Sequence, residues 1–126
     1  MQIDRDKRSA RFAAHGRLLP DEAAELASGA LAAACAEGLR TLMINFKDIA
    51  LTRRFSVEEC HAVGEQLARA GAGLRKVALV ARAECVEANA FLLTVAQDCG
   101  LPAAAFPTES EALRWLQLAP GAAPAA

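Results

Sequence analysis

Ser56 and Glu59 are the pair in this chain whose types and spacing point most directly to a chemical role. A serine three residues ahead of a glutamate forms a capping box. The hydroxyl accepts the N–H of residue 59, and the carboxylate reaches back to the N–H of residue 56. A phosphate on the same hydroxyl would sit at the positive end of the helix dipole. Arg53 and Arg54 stand just ahead of it and could neutralise that charge. They could also hold another anion, because free N–H groups at a helix start already favour one. Lys47, Asp48 and Thr52 belong to the same stretch. Together with Arg53, Arg54 and Ser56 they are the candidate contacts for a small ligand or a regulatory protein partner, with Ser56 as the candidate phosphoacceptor.

Other reactive side chains form no such set. Cys60 and His61 are neighbours in sequence, and neighbours on a helix point about 100° apart, which suits a thiol–base pair poorly. His15 and His61 are the two histidines, too few to build a metal site alone. Asp48 and Asp98 are isolated acids that make no carboxylate dyad. Cys35, Cys60, Cys85 and Cys99 contain no C-x-x-C pair, so they read as reduced thiols acting as small apolar residues. A thiol-dependent enzyme using Cys60 is the weakest reading. Asn89 interrupts an apolar helical stretch and either faces solvent or hydrogen-bonds a loop or ligand. No catalytic residue, metal or cofactor is assigned.

These residues need a scaffold, and 126 residues suit a single domain. The chain is 54% hydrophobic, much of it alanine, so close rather than deep packing is expected. A net charge of −1 and the absence of tyrosine argue against nucleic acid as a partner. No apolar run approaches a membrane span, and the charged N-terminus lacks a secretory core. The expected location is the cytoplasm.

Hydrophobic periodicity divides the chain into alternating elements. Residues 2–5 and 10–15 read as two strands joined by a polar turn. Pro20, Asp21 and Glu22 open a helix that Gly38 closes. Gly29 inside it is expected to pack closely against a strand. Residues 39–46 form the clearest strand, with Leu42, Ile44 and Phe46 on one face and Thr41, Met43 and Asn45 on the other. Residues 47–55 read as a loop, and the Ser56 box opens a helix to residue 70. A buried strand covers 76–81. One helix spans 84–99, with Phe91, Leu92, Val95, Ala96 and Cys99 inward. A weak strand covers 103–106. A second capping box, Thr108 with Glu111, opens a last helix with Ala112, Leu113 and Leu116 inward. Residues 119–126 are expected to be a disordered tail after a single domain over 1–118. The result is an α/β fold: a five-stranded mixed, mostly parallel sheet flanked by four helices in ββαβαβαβα order.

This order and several local motifs resemble the SpoIIAA-like branch of the STAS (anti-sigma-factor-antagonist) family. The carriers are 15–22 (HGRLLPDE), 42–49 (LMINFKDI) with 55–59 (FSVEE), 75–80 (RKVALV), and 108–116 (TESEALRWL). The resemblance covers about residues 2–117. It implies a compact regulatory or ligand-binding module that is not usually an enzyme. A homodimer is a further expectation, because a free sheet edge and apolar helix faces favour pairing. STAS switch proteins carry a phosphorylated serine at the start of the helix after the third strand. Ser56 falls near that place, with Arg54 and Phe55 before it, and Asn45 stands where the family has a strand-ending acid. The branch also resembles the CRAL-TRIO lipid carriers in architecture. That implies a carrier or sensor of an apolar ligand, with a pocket between helix and sheet lined by Leu51, Phe55, Val86 and Phe91. Any site is expected at the carboxyl ends of the parallel strands.

Overall fold

A computed structural model describes residues 1–117. Its sheet contains β1 (Gln2–Asp4), β2 (Ser9–Leu18), β3 (Thr41–Leu51), β4 (Lys76–Val80) and β5 (Ala103–Phe106). The helices are α1 (Pro20–Ala36), α2 (Val57–Ala70), α3 (Ala83–Ala88), α4 (Ala90–Asp98) and α5 (Glu109–Gln117). The strands lie side by side in chain order, β1-β2-β3-β4-β5. β1 is antiparallel to β2, and the other neighbours are parallel. The α/β class and the five-stranded mixed sheet are as the sequence reads. Among the described residues there are five helices rather than four, because the expected helix over 84–99 breaks at Asn89.

Sequential order has a direct consequence. Right-handed crossovers between successive neighbours lay every connecting helix on the same side of the sheet. Ala27, Ala30, Leu31 and Ala34 of α1 share one core cluster with Ala68 of α2, Ala96 of α4, and Leu42, Ile44, Val77 and Ala103 of the strands. Met43, Ala78, Val80, Ala104 and Phe106 point the other way, onto Ala112 and Trp115 of α5. The two faces of β3 therefore divide as its alternation requires. Trp115, rather than Leu113, fills the α5 interface, and Leu113 is exposed. Phe91 and Cys99 are also exposed, so α4 buries Val95 and Ala96 alone.

Local chemistry sets the helix ends. The Glu22 carboxylate accepts the Leu19 N–H at 2.9 Å at the start of α1. Beyond its end the Gly38 carbonyl accepts two bonds from the Arg8 guanidinium, at 3.2 and 2.8 Å. Arg8 is the non-glycine residue with positive φ, 52°. At α5 the Thr108 hydroxyl accepts the Glu111 N–H at 3.2 Å. The expected tail falls outside the described residues.

β3 runs on to Leu51, through residues expected to be a loop. Its pairing with β2 shifts after Ala13↔Asn45, so that His15 next faces Asp48. One extra residue in β3 makes a β-bulge, and the alternation of faces inverts across it. The Asn45 side chain braces the bulge, its Oδ1 accepting the Lys47 N–H at 2.9 Å. Even-numbered Leu42, Ile44 and Phe46 and odd-numbered Ile49 and Leu51 thus share the helix-covered side.

Gly29 meets nothing within 4 Å, which corrects the expected close contact there. The close approach is at Gly64, where α2 crosses α4. A Cβ on Gly64 would lie 2.6 Å from Val95 Cγ1 and 3.1 Å from the backbone nitrogen of Ala96. Gly64→Ala is expected to destabilise the fold by about 1–3 kcal/mol through overpacking. Gly29→Ala is expected to stabilise it by up to about 1 kcal/mol through helix propensity. Urea melts of the two variants measure both, and equal midpoints would contradict this reading of the helix crossing.

Candidate functional site

Between the helical layer and the sheet lies a cavity of about 130 Å³. Its origin is in the alanines. Ala23, Ala24 and Ala27 of α1 line it together with Ala103 and Ala105 of β5 and Ala81 just past β4. Methyl groups on both sides cannot span a helix–sheet gap that longer side chains fill elsewhere. Leu31, Val63, Leu67, Leu92 and Leu93 wall the helical side. Ile44, Phe46, Ile49 and Leu51 of β3 form part of the floor, and the bulge brings in the last two. Phe55, Cys85, Val86 and Asn89 complete the lining at the carboxyl end of the strands.

Asn89 is the chief polar side chain in that lining, and both ends of its amide are satisfied. Oδ1 accepts the Phe55 N–H at 3.0 Å, and Nδ2 donates to the Cys85 carbonyl at 3.0 Å. The interior therefore presents hydrocarbon and no unpaired polar group from this residue. A fully enclosed apolar void of this size would cost up to about 3 kcal/mol at roughly 24 cal/mol per Å³, and this one, partly open to solvent, costs less.

Of the four residues expected to line an apolar pocket, Leu51, Phe55 and Val86 do so. Phe91 does not. It lies on the outside of α4, and its ring meets His61 edge-on at 5.1 Å between centroids. The alanines and Ile49 are not among the expected lining residues, whereas Asn89 takes the second of its two expected roles and bonds the loop at Phe55. The odd-numbered apolar pair Ile49 and Leu51 is the signal that could have extended β3.

The candidate polar residues form no single cluster. Lys47 and Asp48 lie within β3, exposed, and the Lys47 carbonyl accepts from Arg82 Nε at 3.0 Å. Thr52 is exposed, and its N–H binds the Leu18 carbonyl at 2.9 Å. The Arg53 guanidinium grips Glu59 with two bonds, 2.6 and 2.9 Å. Arg54 is exposed beside it. The Ser56 hydroxyl accepts the Glu59 N–H at 3.1 Å, and Glu59 accepts the Ser56 N–H at 2.8 Å. The capping box is therefore formed, with Arg53 locked onto its glutamate. The sequential sheet has no point where strand order reverses, so the crevice that usually places ligands in open α/β sheets does not form.

A second polar cluster lies on the α5 side of the sheet. Glu109 accepts Arg11 at 2.9 and 2.6 Å and also binds the Asn45 amide. The Arg11 bonds, followed by the Asn45 bond, hold the Glu109 carboxyl below its usual range. Burial, the larger cause, and the nearby Glu59 charge push the Cys60 thiol up, away from the thiolate a nucleophile needs. Among the described residues no three His, Cys, Asp or Glu side chains converge as a metal set, and no helix is long and apolar enough to cross a membrane. No protein-family model, curated protein or solved structure matches the chain.

The Arg53 bonds, and then the Ser56 N–H, lower the Glu59 carboxyl to about 2. A carboxyl depressed in the folded state contributes stability above its unfolded value, and that contribution is lost as pH falls through the folded one. The fold is therefore expected to weaken between the ordinary carboxylate range and about pH 2. Glu59→Gln should flatten the stability profile in that window, and Arg53→Ala should raise the Glu59 titration most of the way toward the ordinary range, the Ser56 N–H still holding it lower. Carboxyl NMR titration with acid denaturation checks both. An unchanged Glu59 titration in Arg53→Ala would refute the pairing in solution.

Proposed function

We propose that this protein is a non-enzymatic binding module that holds a small apolar ligand in the cavity between its helical layer and its sheet. The observation that carries the reading is the void of about 130 Å³, walled by aliphatic, aromatic and alanine side chains, with its asparagine already hydrogen-bonded. An apolar cavity of about 150 Å³ stays dry and accepts benzene, so the fitting occupant is an aromatic ring or a short alkyl segment. A polar end would remain outside, because nothing within the lining offers it a free partner. Filling the void would recover part of the energy it costs.

The resemblance of the element order and helix-start motifs to the STAS family points to the same broad class, a regulatory or ligand-binding module. Four free cysteines suit a cytoplasmic setting, where thiols stay reduced. The loop residues Lys47, Asp48, Thr52, Arg53, Arg54 and Ser56 remain the place for an anionic ligand or partner in the alternative reading. There a phosphate or acidic group would have to displace Glu59 from Arg53.

Calorimetry with toluene and with octanoate tests the proposal. Binding with a negative heat-capacity change is expected. Ala24→Leu, which places a larger side chain against the void, is expected to weaken that binding at least tenfold while leaving the fold intact. Native mass spectrometry of the purified protein is the companion measurement. Absence of binding by both compounds, with no co-purifying ligand, would overturn the reading.

A further inference from the structure

The element over one end of the cavity is also the least anchored. α3 buries none of its six residues. Cys85 and Val86 are its half-buried side chains, and both face the cavity. Its hold on the body comes from its two ends, and each end is tied to the same segment. At the start, Arg82 Nε donates to the Lys47 carbonyl of β3 at 3.0 Å. At the finish, Asn89 Oδ1 accepts the Phe55 N–H at 3.0 Å. Asn89 is also the break between α3 and α4, with φ −119° and ψ 24°. Elements with few buried apolar contacts open locally at much lower free energy than the core does.

We infer that α3 is a lid over the apolar cavity, strapped to the end of β3 and the following loop by Arg82 and Asn89, with Asn89 as both hinge and latch. The ligand passes between α3 and residues 51–55 when the Asn89–Phe55 bond breaks. The inference rests on the cavity being a binding site, but the lid motion can be read without any ligand.

The chain holds its own reporters. Cys85 lines the cavity under the lid, Cys60 is buried away from it, and Cys99 is exposed. Alkylation by N-ethylmaleimide, followed by peptide mass spectrometry, gives a rate for each thiol. Asn89→Ala is expected to speed Cys85 labelling at least tenfold and leave Cys60 unchanged. Because Asn89 Nδ2 also lies 3.7 Å from Cys85 Sγ, Arg82→Ala is the control that loosens the other strap without touching that sulfur's surroundings, and it too should speed Cys85 labelling. An unchanged Cys85 rate in Asn89→Ala, or Cys85 and Cys60 rising together, would overturn the lid.

Hydrogen exchange of the unaltered protein provides a second test that needs no variant to fold. Amides of residues 83–88 are expected to exchange at least tenfold faster than those of α2, and equal protection would overturn the lid. With toluene present, exchange of bound for free ligand by NMR should accelerate in Asn89→Ala. Gated labelling of Cys85 without any toluene binding would leave the lid standing and refute the ligand reading instead.

Discussion

Sequential strand order is the constraint from which the rest of this structure follows. Each crossover joins immediate neighbours, so α1, α2 and the α3–α4 pair all gather on one side, and among the described residues α5 serves the other. The crowded side must accommodate three helical rods above five strands. It does so with small side chains on α1, with Gly64 where α2 meets α4, with Ala103 and Ala105 on β5, and with Ala81 just past the end of β4. Small residues let the helices come close, but they cannot fill the gap at the carboxyl end of the sheet. The cavity is a by-product of the same economy of side-chain volume that lets the layer assemble.

The opposite face solves a different problem. A single nine-residue helix has to cover the central strands, and it does so with Ala112 and Trp115. Lys76 is buried beside that helix, its Nζ donating to the Trp115 carbonyl at 2.8 Å and lying 5.2 Å from the ring centroid. A buried ammonium needs such compensation, and the bond near the end of α5 also meets the negative end of the helix dipole. At the other end of α5, Glu109 holds Arg11 of β2 and Asn45 of β3. Asn45 joins the two sides of the molecule, because its other atom braces the bulge that turns Ile49 and Leu51 toward the cavity.

Much of this fold is legible in the sequence where local signals and tertiary demand agree. The Ser56–Glu59 box is formed at its expected place, the Thr108 hydroxyl caps the Glu111 N–H without the reciprocal backbone bond, and Pro20 opens α1. The alternation over 42–46 assigns the two faces of β3 correctly. Legibility ends where the pattern changes phase. The inversion after Asn45 makes a strand continuation look irregular, so β3 reads as a loop from Lys47. The break at Asn89 leaves no glycine or proline to mark it. Alanine is equally silent: it favours a helix whether it packs against a neighbour or borders a void, so the cavity wall has no sequence signature beyond abundance. Leu51, Phe55 and Val86 are recoverable because bulky apolar residues flank the loop and helix start, whereas Phe91 has the right type on the wrong face.

The cavity also explains why the polar loop and the apolar interior are best treated as one region. Space that side chains leave unfilled costs packing energy, and domains are stable by only roughly 5–15 kcal/mol. Such a cost is borne most easily where neighbouring structure is tied by local bonds that do not depend on the void being filled. Arg53 with Glu59, the Ser56 cap, the Arg82 bond to Lys47 and the Asn89 bond to Phe55 all hold the rim in that way. Charged and polar side chains near strand ends are usually read as contacts for something outside the molecule. Here Arg53, Ser56, Glu59, Arg82 and Asn89 take partners from one another and the backbone, and their common effect is to keep α2, α3 and the end of β3 in register around the cavity.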